Sequence, residues 1–210
     1  MKHFNTEGPI IPEDHYYIPV AQRIDLDEIE TLIDRKKYFV LHAPRQSGKT
    51  TTLLEIMRLL NASGKYKCLY VNLEAAQATR EQIDDAMDVI VDLLVESEKN
   101  YLPNDQIIAT CVEESDANKK MSALARTLGA WARQSSLPTV LLIDEIDSLI
   151  GDTLVSVLRQ LRGGYASRPQ NFPQRPLESI AFDQGESHQI RQVHLRTIQN
   201  KVGMTLKSLV

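Results

Sequence analysis

Cysteine is scarce in this chain. Only Cys68 and Cys111 occur among 210 residues, and they show no metal-ligand spacing. So low a count excludes a disulfide framework and points to a reducing compartment. Long apolar runs are missing as well: none approaches the length of a membrane-spanning helix. The start, Met1-Lys-His-Phe-Asn-Thr-Glu7, lacks the apolar core of a signal peptide. The expectation is a cytoplasmic protein with no membrane partner. A strong excess of one charge is absent too. The net charge of −4 argues against a whole-protein footprint for nucleic acid and gives DNA involvement no support. What the chain does have is ordinary for a globular protein: 42% hydrophobic and 25% charged residues, at a length near the upper end of common single domains.

Against that background, Tyr38 to Thr52 stands out. The apolar run Phe39 to Leu41 predicts a buried strand, and Leu53-Leu-Glu-Ile-Met57 continues a helix. Between them lie Ala43, Pro44, Arg45, Gln46, Ser47, Gly48, Lys49, Thr50 and Thr51. Strand, loop and helix in this order form a cradle for phosphate, because loop amides and the helix N-terminus present N–H groups to an anion. Lys49 is placed to reach β- and γ-phosphates, and the Thr50 hydroxyl to hold Mg²⁺. Gly48 allows close backbone approach. Ala43 stands where the pattern has glycine, which makes a positive φ there costly. The alternative is an ordinary strand-turn-helix with a surface lysine.

A second motif supports the phosphate reading. Val140 to Ile143 are four consecutive apolar residues, which suits a strand buried on both faces of a parallel sheet. Asp144 and Glu145 follow at its C-terminal end, where open α/β sheets bind ligands. Asp144 fits a carboxylate that holds Mg²⁺ directly or through water. Glu145 fits a base for an attacking water. Asp147 either supports the magnesium shell or caps the helix spanning Ser148 to Arg162, and capping is the favoured role.

Residues 1–22 read as an irregular lead-in, with Gly8-Pro9, Pro12 and Pro19 breaking regular structure. Its Tyr17, Ile18 and Pro19 are candidates to shelter an adenine ring; the alternative is a lead-in wrapped over the sheet edge. Apolar spacing predicts helices over 25–37, 80–98 and 121–134, and a strand over 67–73. Asn61-Ala-Ser-Gly64 predicts a helix stop. Residues 100–120 read as a loop with a short helical piece. Trp131 and Cys68 are expected in the core.

The chain resembles the AAA-like ATPases of the P-loop superfamily, specifically prokaryotic ATP-binding proteins often joined to a restriction-nuclease-like domain. The resemblance rests on Pro12 to Tyr16, His42 to Thr51, Leu69 to Glu74, Leu141 to Asp147, Gly151 to Arg162 and Asn171-Phe-Pro-Gln174. It covers residues 5–174 and implies an α/β fold, a P-loop NTPase three-layer sandwich around a mostly parallel sheet. It further implies ATP and Mg²⁺ binding, with Lys49, Thr50, Asp144 and Glu145 in the roles above. A homo-oligomer or a nuclease-like domain partner is compatible with it.

The domain is therefore expected at 1–174, followed by a divergent tail, 175–210. The resemblance implies a sensor strand between the strand before the loop and the strand before Asp144. In the tail only Ser179 to Phe182 has strand character, while Ile190, Val193, Ile198 and Val202 follow an imperfect helical spacing. Either the tail supplies that strand, or the motif strands pair differently, or the domain is incomplete through frameshift or truncation. Three readings follow: a Mg²⁺-dependent ATPase, a nucleotide-binding switch that hardly turns over, and a remnant of a longer ATPase.

Overall fold

The computed structural model describes residues 2–4, 10–11, 13–42, 47–114, 120–166, 179–184, 195–199 and 205–209. Within them, strands β1 (Phe39–His42), β2 (Lys67–Asn72), β3 (Thr139–Asp144), β4 (Ser179–Gln184), β5 (Leu195–Gln199) and β6 (Thr205–Leu209) form one sheet. Its order is β2-β3-β4-β1-β6-β5. The run from β2 through β3 and β4 to β1 is parallel, and β6 and β5 extend it by antiparallel pairing. The helices are α1 (Val20–Arg23), α2 (Leu26–Asp34), α3 (Lys49–Ala62), α4 (Ile83–Tyr101), α5 (Ile107–Glu113), α6 (Ala123–Gln134) and α7 (Gly151–Ala166).

Strand side chains alternate between two cores. Phe39, Leu41, Cys68, Tyr70, Val140 and Leu142 face one way, against Ile29 and Ile33 of α2 and Leu53, Ile56 and Leu60 of α3. Val40, Leu69, Val71, Leu141 and Ile143 face the other way, against α4, α5, α6 and α7. Burial on both faces explains why these strands read as continuous apolar runs instead of polar-apolar alternation. The arrangement is a three-layer sandwich with a mostly parallel sheet. Trp131 and Cys68 are both fully buried. Among the described residues no helix is long and apolar enough to cross a membrane.

Local chemistry sets the helix ends. Asp25 caps α2 by accepting the Glu28 N–H at 3.1 Å. Gly64 follows α3 at φ +68°, and its N–H returns to the Asn61 carbonyl, which is the stop that the sequence predicts. Asn61 also clamps edge strand β2: its side chain donates to the Cys68 carbonyl (2.9 Å) and accepts the Cys68 N–H (2.8 Å). Those groups would otherwise be an unpaired position on the sheet edge.

Glu98 of α4 plays a similar part for α5. Only 1% exposed, its carboxylate accepts the N–H groups of Ile108 (2.8 Å) and Ala109 (3.0 Å). Burial pushes its pKa above the ordinary glutamate value, opposed by these donors and reinforced by the charge of Asp105. Because the folded value is the higher one, this contribution is whole below the unfolded pKa and is lost as pH rises through the folded pKa. Glu98→Ala is expected to lower stability by about 2 kcal/mol, by stripping an acceptor from two helix N–H groups. Urea unfolding should give a larger deficit near pH 4 than near pH 7; an equal or reversed deficit would contradict this account.

The tail matches the sequence expectation in one part and departs from it in another: the strand character of Ser179 to Phe182 appears as β4, the first of the three alternatives. β4 lies between β1 and β3, with Phe39 in register with Ala181 and Leu142 also opposite Ala181. It runs two residues beyond Phe182, through Asp183 and Gln184. The helical spacing expected around Ile198 is overruled, since Leu195–Gln199 is a strand paired antiparallel with β6. A few apolar residues at that spacing do not fix a period, and ladder pairing decides instead. Ile190, Val193 and Val202 lie outside the described residues.

Candidate functional site

Parallel strands bring their C-terminal ends to one edge of the sheet, and the sequence motifs meet there. Helix α3 starts at this edge. Gly48, its N-cap, sits at φ +79°, a left-handed conformation open to glycine at little cost. The chain can thus turn directly into a helix whose first residues are Lys49 and Thr50. Thr52 secures that first turn: its N–H and its hydroxyl both donate to the Gly48 carbonyl, at 3.0 and 2.9 Å.

Asp144, the last residue of β3, is completely buried and accepts three hydrogen bonds. The Thr50 hydroxyl donates to Oδ2 at 2.7 Å, the Tyr70 hydroxyl donates to the same oxygen at 2.8 Å, and the Glu145 N–H donates to Oδ1 at 3.1 Å. A buried carboxylate needs such donors, because desolvation otherwise disfavours its charge. Glu145 takes the next position at φ +54°, ψ 36°, a left-handed conformation rare for a residue with a side chain. Burial raises its pKa, and the charges of Asp144, Asp147 and Glu74 add to that rise. The Lys49 charge acts in the opposite direction, so Lys49 and Glu145 lie within each other's field.

This hydroxyl and carboxylate pair lies inside the segment that matches a known family. The sequence matches the AAA domain over residues 32–172, more than half of the chain. The chain belongs to the AAA domain family. No curated protein matches it. AAA domains have the P-loop NTPase fold and are nucleotide-binding, ATPase-like modules, which agrees with the layered sheet described above.

Within this AAA domain the predicted residues fall out unevenly. Lys49, Thr50, Asp144 and Glu145 come together. Ser47 and Gly48 are half-buried just ahead of Lys49, whereas Ala43, Pro44, Arg45 and Gln46 lie outside the described residues. The Thr51 hydroxyl accepts the Ile10 N–H at 3.3 Å, so Ile10 of the lead-in lies beside the first turn of α3. Tyr17 is exposed, with Lys2 Nζ 6.0 Å from its ring centroid; Ile18 is exposed too, and Pro19 precedes α1.

Asp147 is a correction. It does not cap a helix starting at Ser148: Ile146–Ser148 is a 3₁₀ turn containing Asp147, and α7 begins only at Gly151. Its Oδ1 atom is buried with no hydrogen-bond partner among the described residues. The turn arises because Glu145 reverses the chain, and the Ser148 N–H closes it on the Glu145 carbonyl at 3.0 Å.

Sequence reasoning missed Tyr70. It sits in an apolar strand and reads as core, but a buried tyrosine hydroxyl generally finds a partner. Strand register supplies the signal: Tyr70 is opposite Leu142, two residues before Asp144 on the same face.

Proposed function

We propose that this AAA domain binds ATP with Mg²⁺ and hydrolyses it to ADP and phosphate. The observation that carries the reading is the 2.7 Å hydrogen bond from Thr50 Oγ1 to Asp144 Oδ2, which joins the start of α3 to the end of β3. The Thr50 proton points to the carboxylate, which leaves the hydroxyl lone pairs to face a cation. A hydroxyl and a carboxylate are the hard oxygen donors that Mg²⁺ takes, and Mg²⁺ commonly uses only one or two protein ligands beside phosphate and water. The residues present therefore fit this metal. When bound, Mg²⁺ neutralises charge on the β- and γ-phosphate oxygens.

The chain's own groups then have separate tasks. Lys49, at the first position of α3, binds the β- and γ-phosphates, and the α3 N-terminus adds its dipole. As the sequence motif implies, the loop from Ala43 to Ser47 contributes backbone N–H groups to the phosphates, except at Pro44, which has none. Glu145 takes the proton from the attacking water, and the upward shift that burial gives its pKa makes the carboxylate a stronger base. Tyr17 covers the adenine ring. The lead-in's contact with Thr51 supports that role, because it brings this segment to the phosphate-binding helix. A cytoplasmic location fits the low cysteine count. A second copy of the chain or a nuclease-like domain is the further partner that the resemblance suggests, and chromatography with and without ATP reads the first.

ATP affinity and phosphate release, measured for the parent and for Lys49→Ala, test the proposal together. Removing a charged donor from the phosphates should weaken binding by about a hundredfold and abolish turnover. Binding without turnover in the parent would favour the nucleotide-binding switch. A parent that binds no ATP would remove the proposal.

A further inference from the structure

Tyr70 is the one group on Asp144 that the roles above leave unused. Its hydroxyl and that of Thr50 both donate to Asp144 Oδ2, at 2.8 and 2.7 Å. A carboxylate oxygen has two lone-pair sites, so Oδ2 is fully engaged by these donors. Oδ1 receives the Glu145 N–H. The carboxylate is thus held from three directions by α3, β2 and the turn after β3.

We propose that Tyr70 is a positioning residue for the magnesium site, holding Asp144 where it accepts the Thr50 proton and so directing the Thr50 lone pairs at the cation. This rests on the nucleotide reading above and goes beyond it by assigning β2 a part in metal binding. In this arrangement two donors occupy Oδ2, so Asp144 would support the cation by orienting the Thr50 hydroxyl. The tyrosine is built for this. Its ring is buried on the core face shared with Leu142, and Tyr101 meets it edge to face at 6.0 Å between ring centroids. A tyrosine hydroxyl carries its proton at neutral pH, and here it donates that proton to Asp144 Oδ2.

The test measures how much Mg²⁺ tightens nucleotide binding. A fluorescent ATP analogue is titrated into the parent, Tyr70→Phe and Tyr101→Phe, each with Mg²⁺ and with EDTA. Tyr70→Phe keeps the ring and removes one hydrogen bond to a charged group. It should reduce the Mg²⁺-dependent tightening about tenfold while leaving affinity in EDTA unchanged. Tyr101→Phe should match the parent on both counts, and thermal melts of all three should show one cooperative transition. An unchanged or larger Mg²⁺ effect in Tyr70→Phe would overturn the assignment, as would equal losses with and without the metal. A parent that binds the analogue without any Mg²⁺ effect would remove the magnesium site and Tyr70's role together. A parent that binds no analogue would remove the nucleotide reading itself.

Discussion

Glu145→Gln is expected to retain ATP binding and to lower the rate of phosphate release by about 10²–10⁴-fold, the usual contribution of a positioned general base. The substitution preserves size and removes the proton acceptor. Its specificity comes from the backbone. At φ +54° Glu145 holds a conformation that costs roughly 1–2 kcal/mol for a residue with a Cβ. That conformation is tied in place at both ends, by the Glu145 N–H on Asp144 Oδ1 and by its carbonyl accepting from Ser148. Strain of this kind persists where surrounding structure fixes it, and functional sites are where it concentrates. Both ties use backbone atoms, so glutamine should leave them intact and only the chemistry should change. Single-turnover phosphate release beside equilibrium ATP binding separates the two. Parental turnover in the variant would exclude Glu145 as the base. Loss of binding as well would make it a residue that shapes the site.

The residues that gather at the candidate site were legible in the sequence because each motif is local. Gly48-Lys49-Thr50 and Asp144-Glu145 sit at the junctions of strongly patterned elements, and the parallel sheet brings such junctions to one edge. Tyr70 was not legible in the same way. Its role depends on β2 being in register with β3, which no local pattern specifies. Asp147 failed for a related reason: a carboxylate just before a helical pattern reads as a cap, but the left-handed turn at Glu145 moves the helix start to Gly151. Within the fold, elements with long apolar periods came out within a few residues, as α4 and α6 show. β5 did not, because its apolar residues are sparse and its structure depends on pairing with β6.

That dependence on pairing makes the tail the source of the second large effect. A chain ending at Gln174 is expected to lose its cooperative unfolding transition and its ATP binding. Phe39 to His42 of β1 pair with β4 on one side, and Val140 to Ile143 of β3 pair with it on the other. Without β4, both ladders leave N–H and C=O groups unpaired in the middle of a sheet covered by helices on both faces. Each unsatisfied buried group costs about 1–3 kcal/mol, so a handful rivals the roughly 5–15 kcal/mol that typically separates a folded domain from its unfolded chain. β6 has a weaker claim, because its loss makes β1 an edge strand whose outer groups water can reach. A chain ending at Gln184 should therefore regain a cooperative melt at lower temperature, while the chain ending at Gln174 should not. If the shorter chain melts cooperatively and binds ATP as tightly as the parent, β1 and β3 close on each other directly, and β4 is not what completes the sheet beside Lys49.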